Sequence, residues 1–222
     1  MGRIGGVTAI GGAVILFVAT LFHPMSADPN DPAAAFAEYA ADRLWVASHL
    51  GQFLGLALLC GSLVALADAM EAGWSAAWAR VGVAGTAASL AAAAALQAVD
   101  GVALKVMVDR WMEASGEDRV RAFEGAFAVR QIEIGMASLL NVLFALTIIT
   151  FGISMSFSRR FPRWLAWIGL LGGLGALVAG VIAAYSGFST SAMMVGMPAN
   201  AILLVWAVVV GTYLWRLADS EP

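Results

Sequence analysis

The sequence predicts an all-α polytopic membrane protein, a bundle of six transmembrane helices with short surface helices on its outward side. Three observations predict it. Hydrophobic residues make up 61% of the 222 residues and charged residues only 12%, against usual shares of about 45–50% and about 25%. The mean hydropathy is +0.86. The apolar residues also fall into six runs, Ile4–Phe22, Leu44–Ala67, Val81–Leu104, Ile134–Phe157, Trp164–Tyr185 and Ala199–Leu214. Each run is near the roughly 20 residues that a helix needs to cross about 30 Å of hydrocarbon. Little chain is left outside the crossings, so residues 1–222 read as a single integral membrane domain.

The first run carries one basic residue, Arg3, and is longer than the roughly 7–15-residue core of a signal peptide. Because His-Pro-Met-Ser-Ala-Asp after it is a weak cleavage site, it reads as a span. Next, Asp28-Pro-Asn-Asp31-Pro32 signals a turn, with Asp31 as N-cap and Pro32 at the first helical position. A short helix over Ala33–Ala41 is expected there, lying on the membrane surface. The second run holds Gly51 and Gly55, and the fifth Gly169 and Gly173, small-residue pairs that let helices approach within one chain or between copies in a homo-oligomer. The third span is expected to continue as Lys105–Ala114 to a break at Ser115-Gly116. There Ser115 and Asp118 loosely resemble a capping box, and the next helix runs through Arg121 into the fourth span. Ser186–Pro198 reads as an uncharged outward loop whose Met193, Met194 and Met197 suit packing better than copper ligation. These outward segments would form a lid. Trp45, Trp164, Trp167 and Trp215 near span ends, with Trp74 and Trp78 at an inner loop, read as interfacial anchors.

Six spans put both termini on one side. That side carries Arg3, Arg80, Arg159, Arg160, Arg163 and Arg216 against four acids, Asp68, Glu71, Asp219 and Glu221. The opposite side carries six basic residues against eleven acids. The raw basic counts tie, but the N-terminal side has less loop, and its Arg159-Arg160-Phe-Pro-Arg163 turn is the densest basic cluster. The positive-inside rule then favours cytoplasmic termini.

Seven polar side chains sit in or beside the spans, and the crossing pattern brings them to the outward face: His23, His49, Gln52, Gln97, Asp100, Arg130 and Glu133. Ionisable groups within a bilayer are costly unless paired or hydrated, so their convergence is a functional-site hypothesis. His49 and Gln52 share a helix face, as do Gln97 and Asp100, and Arg130 and Glu133, with Asn141 two turns deeper on the last stripe. Arg130 is expected to pair with Asp100 or Glu133, and Lys105 with Asp109. His23, His49, Asp100 and Glu133 offer two imidazoles and two carboxylates, a set that suits zinc, manganese or iron, with Gln52, Gln97, Lys105, Arg130 and Asn141 as ligand-binding neighbours. Haem held by the two histidines is the second cofactor option. No residue can be assigned a catalytic role.

Competing readings stand beside these. In these, His49 bonds a neighbouring helix, the charges only lock helices together, and His23 at a span end is unremarkable. A small transporter or channel is a further reading, opposed by inner halves that offer little beyond Ser62, Thr86, Ser89 and Asn141. Cys60 is alone in an apolar span, which excludes disulfide frameworks and thiolate sites. Phosphate-binding loops, nucleophile elbows and basic aromatic patches for nucleic acid are missing. The bilayer and a small-molecule ligand are the partners that this pattern implies.

Finally, His23-Pro24, Trp45-Val-Ala-Ser-His49-Leu-Gly-Gln52-Phe, Gln97-Ala-Val-Asp100-Gly-Val-Ala-Leu-Lys105, Val129-Arg130-Gln-Ile-Glu133 and Ser158-Arg-Arg-Phe-Pro-Arg-Trp164 resemble a group of small bacterial membrane proteins catalogued as a domain of unknown function. The resemblance covers most of the chain. It implies a helical bundle in a bacterial cytoplasmic membrane and assigns no substrate, cofactor or catalytic residue.

Overall fold

The need to satisfy every backbone N–H and C=O without water makes helix the economical state for an apolar chain in lipid. The computed structural model describes residues 1–220, all helix and connection with no strand among them; Glu221, counted in the charge balance above, lies outside the described residues. Six helices are long and apolar enough to cross a membrane. They are α1 (Gly2–Leu21), α3 (Trp45–Asp68), a rod from Trp74 to Glu113, α6 (Gly116–Ser156), α7 (Arg163–Ser186) and α8 (Thr190–Ser220), with α2 (Pro32–Ala41) between the first two. The rod consists of α4 (Trp74–Gln97), a π-helical segment (Ala98–Leu104) and α5 (Lys105–Glu113).

The spans pack as a closed ring. Each packs on the next, α1 on α3, α3 on α4, α4 on α6, α6 on α7 and α7 on α8, and α8 returns to α1. Arg3 donates to Asp219 at 2.9 Å, so both ends of the described chain meet at one end of the ring, here called the terminal face. Glycines set the closest crossings. A Cβ at Gly55 would lie 2.6 Å from the Leu16 backbone nitrogen, and one at Gly12 2.8 Å from the Gly55 carbonyl oxygen. Gly51 faces Ala19, Gly169 faces Trp206, and Gly173 faces Ile149. Both small-residue pairs are thus used within the chain, one of the two uses expected of them.

At the far face the chain outgrows the bilayer. α6, at 41 residues, is roughly 60 Å long at 1.5 Å per residue, twice the hydrocarbon thickness. Its first turns, α5 and α2 form a cap cored by Phe36, Tyr39, Trp45, Val108, Trp111 and Ala126. The cap is pinned by charge. Asp31 accepts from the backbone nitrogens of Ala33 and Ala34, both at 3.1 Å, as expected of an N-cap before Pro32. Lys105 donates to the carbonyls of Tyr39 (3.1 Å) and Ala40 (2.8 Å) at the end of α2, where a cation meets the negative end of the helix dipole. It also reaches Asp109 at 2.8 Å, its expected partner.

Three expectations need correction here. Ser115 sits at the N-cap of α6 but its side chain makes no cap bond. Arg119 closes the break instead, donating to the carbonyls of Trp111, Met112 and Ala114. The stretch expected as a loop, 186–198, is helical from Thr190 onward with Pro198 inside α8, because continuing the helix satisfies backbone groups that a loop would leave bare beside lipid. Met193, Met194 and Met197 are exposed on α8 rather than packed.

On the terminal face Glu71 clasps the arginine turn. Ser158 Oγ and the Arg159 backbone nitrogen both donate to its carboxylate, and the Ser158 hydroxyl in particular holds its pKa below the usual carboxylate range. A depressed folded-state pKa stabilises above the unfolded value of about 4.3 and is lost as pH falls through the folded value. Thermal unfolding in detergent should therefore show Glu71→Gln costing about 1 kcal/mol at pH 7, with the gap to the parent closing below about pH 4. For the ring itself, Gly55→Val should cost at least the 1–3 kcal/mol or so of overpacking, because the clash is with backbone; the same measurement checks it.

Candidate functional site

Where α3 begins, its first turns carry Trp45, Ser48 and His49 on one buried face, the spacing of four between Trp45 and His49 being one helical turn. The Trp45 carbonyl accepts from His49 Nδ1 at 2.7 Å and from Ser48 Oγ at 2.8 Å. A carbonyl cannot donate, so His49 carries its proton on Nδ1 and turns Nε2 outward from its own helix. Nε2 meets Asp100 Oδ2 at 3.1 Å. His49 is 1% exposed.

Asp100 reaches that point because its helix is not α there. The π-helical segment Ala98–Leu104 takes one more residue per turn, and it leaves the Asp100 carbonyl facing α3, where Trp45 Nε1 donates to it at 3.1 Å. Gly101 makes the approach feasible: a Cβ there would lie 2.6 Å from His49 Cβ. His23 arrives just beyond the end of α1. Its ring lies 5.0 Å from His49 and 5.1 Å from Trp45. His23 Nδ1 donates to the Pro24 carbonyl at 2.9 Å, which again leaves Nε2 as the free nitrogen. One ligand atom from each of His23, His49 and Asp100 lies within 4.8 Å of the others.

Arg130 and Glu133 form a second pair, 2.6 Å apart and only 6% and 2% exposed as residues. This is one of the two pairings expected for Arg130. The guanidinium also lies 5.3 Å from the Tyr39 ring centre and 5.0 Å from that of Phe188, a desolvated cation between two aromatic faces. Burial pushes the Tyr39 phenol up to about 12, so it stays neutral. Tyr39 packs against Trp45 with ring centres 4.4 Å apart, and Trp45 against His49 at 4.4 Å, both pairs tilted. An aromatic column thus joins the Arg130–Glu133 pair to the His49–Asp100 pair.

The expected residues therefore separate. His23, His49 and Asp100 converge, and Arg130 and Glu133 stand beside them as a pair. No hydrogen bond ties Gln52 or Gln97 to either pair, so the seven are not one bonded network. Gln97 Oε1 and Asp100 Oδ1 are both buried with no partner among the described residues. Lys105 belongs to the cap, and Asn141 lines a cavity deeper in the bundle. Trp45, read above as an interfacial anchor, is 0% exposed and part of the site; its four-residue spacing to His49 was the available signal. Trp164, Trp167, Trp215 and Trp74 are exposed as anchors would be. Nothing in the sequence marked Tyr39, Phe188 or the π-helical turn.

No protein-family model, curated protein or solved structure matches this chain. What the cluster does follows from its own chemistry. It offers two imidazole nitrogens and a carboxylate, each aimed at one point, with two orphaned acceptors alongside and a cation already committed elsewhere.

Arg130→Ala should cost about 3–5 kcal/mol, because it leaves the Glu133 carboxylate buried and unpaired. The double variant Arg130→Met, Glu133→Leu should recover most of that loss. Thermal unfolding of the two variants side by side checks the pair as a unit.

Proposed function

We propose that this membrane protein binds one divalent transition-metal ion through His23 Nε2, His49 Nε2 and Asp100, and that the metal's open coordination position serves a ligand or hydrolytic substrate. One observation carries the reading. The His49 Nδ1 proton is committed to the Trp45 carbonyl, so Nε2 is the nitrogen left to face a carboxylate oxygen at 3.1 Å. With Nε2 unprotonated these are two acceptors, and a proton or a metal ion must sit between or beside them; the metal is the choice that also uses His23. Ligands around a tetrahedral ion with bonds of 2.0–2.1 Å stand about 3.4 Å apart, so the pair is close to its bound spacing.

The surroundings support it. Both histidines donate Nδ1–H to a backbone carbonyl, the arrangement that fixes the tautomer of metal-ligating imidazoles. Gln97 Oε1 and Asp100 Oδ1, buried and bare, are suited to accept from water on the ion. Three protein ligands leave the fourth position open, as in hydrolytic zinc centres, and two imidazoles with one carboxylate also suit iron or manganese. Glu133, a fourth ligand by sequence, is held by Arg130 and acts here as a charged neighbour. Haem is disfavoured, because histidine rings 5.0 Å apart leave no slot for a macrocycle between them. We further infer that the termini are cytoplasmic, from the Arg159-Arg160-Phe-Pro-Arg163 turn on the terminal face, and that the site opens to the outside of a bacterial cytoplasmic membrane.

The second reading is a helix lock, favoured by the Arg130–Glu133 pair, which is complete without a third partner. Elemental analysis of the purified protein and a Co²⁺ titration followed in the visible region separate the two. Near-stoichiometric metal is expected, with His49→Ala and Asp100→Asn each weakening Co²⁺ at least 100-fold while the metal-free proteins unfold near the parent temperature. No metal, with His49→Ala lowering thermal stability alone, would sink the metal reading.

A further inference from the structure

α3, which carries His49, α1, which ends just before His23, and α6, which carries the neighbouring Glu133, also wall a cavity deeper in the bundle. On α3 the face of His49 and Gln52 continues through Leu56 and Leu59, and on α6 the face of Glu133 continues through Leu140 and Phe144. On α1, Leu16 and Thr20 lie on the turns before His23, and α8 closes the far side. At 1.5 Å per residue, Thr20 lies roughly 5 Å below His23, and Leu56 roughly 10 Å below His49. Site and cavity are therefore successive stations along one axis.

The cavity holds about 290 Å³. At roughly 30 Å³ per water-sized group, that is on the order of ten methylenes. Its walls are hydrocarbon with few polar groups. Thr20 and Ser62 donate their hydroxyls to their own helices, at 2.8 and 2.7 Å. Asn141 and Asn200 have side-chain amides without partners among the described residues. No charged side chain lines it, so it does not suit an ion or a charged solute.

The cavity also has an entrance from the side. α1 and α8 meet tightly in the terminal half, where Cβ atoms at Gly2, Gly6 and Gly211 would lie 2.6, 2.9 and 2.7 Å from the facing helix. About three turns beyond that contact, Phe17 is 54% exposed yet lines the cavity, and so does exposed Asn200. Between them the cavity opens onto the apolar, hydrocarbon-facing surface.

We propose that the ligand of this site is a single-chain membrane amphiphile, whose alkyl or acyl chain enters between α1 and α8 into the cavity and whose oxygen-donor head group lies at His23, His49 and Asp100. The proposal rests on the metal reading above and names its substrate class. A free apolar chain in the bilayer would reach the cavity without crossing water, and its head would stop at the level where the polar residues stand. The capped far face leaves the lateral opening as the route for the chain.

The test uses the full chain in phosphatidylcholine nanodiscs loaded with Zn²⁺, with bound zinc measured separately. The probes are an alkyl hydroxamate of about twelve carbons carrying a diazirine at the chain end, matched to the cavity volume, and the methyl ester of the same chain, which cannot chelate. After illumination, peptide mass spectrometry should find label concentrated on cavity residues such as Phe144 and Leu204. The hydroxamate should label at ten-fold or more lower concentration than the ester, and His49→Ala should remove that difference. Leu56→Trp and Asn200→Trp, which fill the cavity from two helices, should each abolish the labelling. Label spread evenly over outward residues such as Leu139 and Val178, or cavity label with no head-group preference in zinc-loaded protein, would overturn the inference. A chain that binds no zinc fails the metal reading itself, whatever the labelling pattern.

Discussion

The far half of the bundle depends on Trp45, whose two polar ends are used in opposite directions. Its indole N–H donates to the Asp100 carbonyl and its own carbonyl accepts from His49. One residue thus satisfies the carbonyl that the π-helical turn leaves facing α3 and fixes the tautomer of the histidine beside it. In a low-dielectric interior, each of these groups left bare would cost on the order of 1–3 kcal/mol. The cap follows from the same residue: Tyr39 packs against the Trp45 ring, and α2 is held over it by Lys105. Removing the indole would free a backbone carbonyl, a histidine orientation and the floor of the cap together.

The two halves of the ring are built on different physics. Toward the terminal face, helices meet backbone to backbone at Gly2, Gly6, Gly12 and Gly55, where dispersion contacts replace the hydrophobic effect that lipid cannot supply. Toward the far face, the glycine contacts between α1 and α8 stop, and aromatic and charged side chains join the glycine contacts that remain, Gly51 on Ala19 and Gly101 on His49. That division leaves the α1–α8 seam tightly closed toward the terminal face, with open volume beside it toward the far face. A buried site needs both, because ligand atoms must be held by elements that do not shift, next to volume that packing has not consumed.

Composition and run length made the spans legible, since lipid allows so few structures that apolar runs of sufficient length leave little choice. Asp31 before Pro32 and the Lys105–Asp109 spacing were legible for the same kind of reason: both are local. What escaped the sequence was non-local or irregular. Ser186–Pro198 looked like a loop because Pro, Ser and Gly are turn formers in water, yet α8 begins at Thr190. Gln97 and Asp100 were set on one α-helical face, and the π-helical turn re-aims Asp100 toward His49 with no sequence mark beyond Gly101. Trp45 was misread since a tryptophan at a span end is ambiguous between the interface and the interior until its partner helix is known. His23 gained importance only from the path of the chain after α1.

The arrangement of charge bears on lock against site. Arg130 makes its direct ion pair with Glu133, and its other faces are covered by Tyr39 and Phe188, so it reaches Asp100 only through space. Asp100 is then a partly buried carboxylate with no arginine or lysine in direct contact, and the groups placed to meet its charge directly are a proton on His49 or, on the proposed reading, a metal ion. A proton would make one hydrogen bond, to Oδ2, and leave Oδ1 of the same carboxylate and Oε1 of Gln97 bare, with the free nitrogen of His23 unused. A divalent ion with its waters answers all four groups at once: two nitrogens and the carboxylate as ligands, and the orphaned oxygens as acceptors for coordinated water. Buried polar atoms are almost always partnered. On the proposed metal reading these acceptors share one purpose, whereas a helix lock needs nothing more than the Arg130–Glu133 pair beside them.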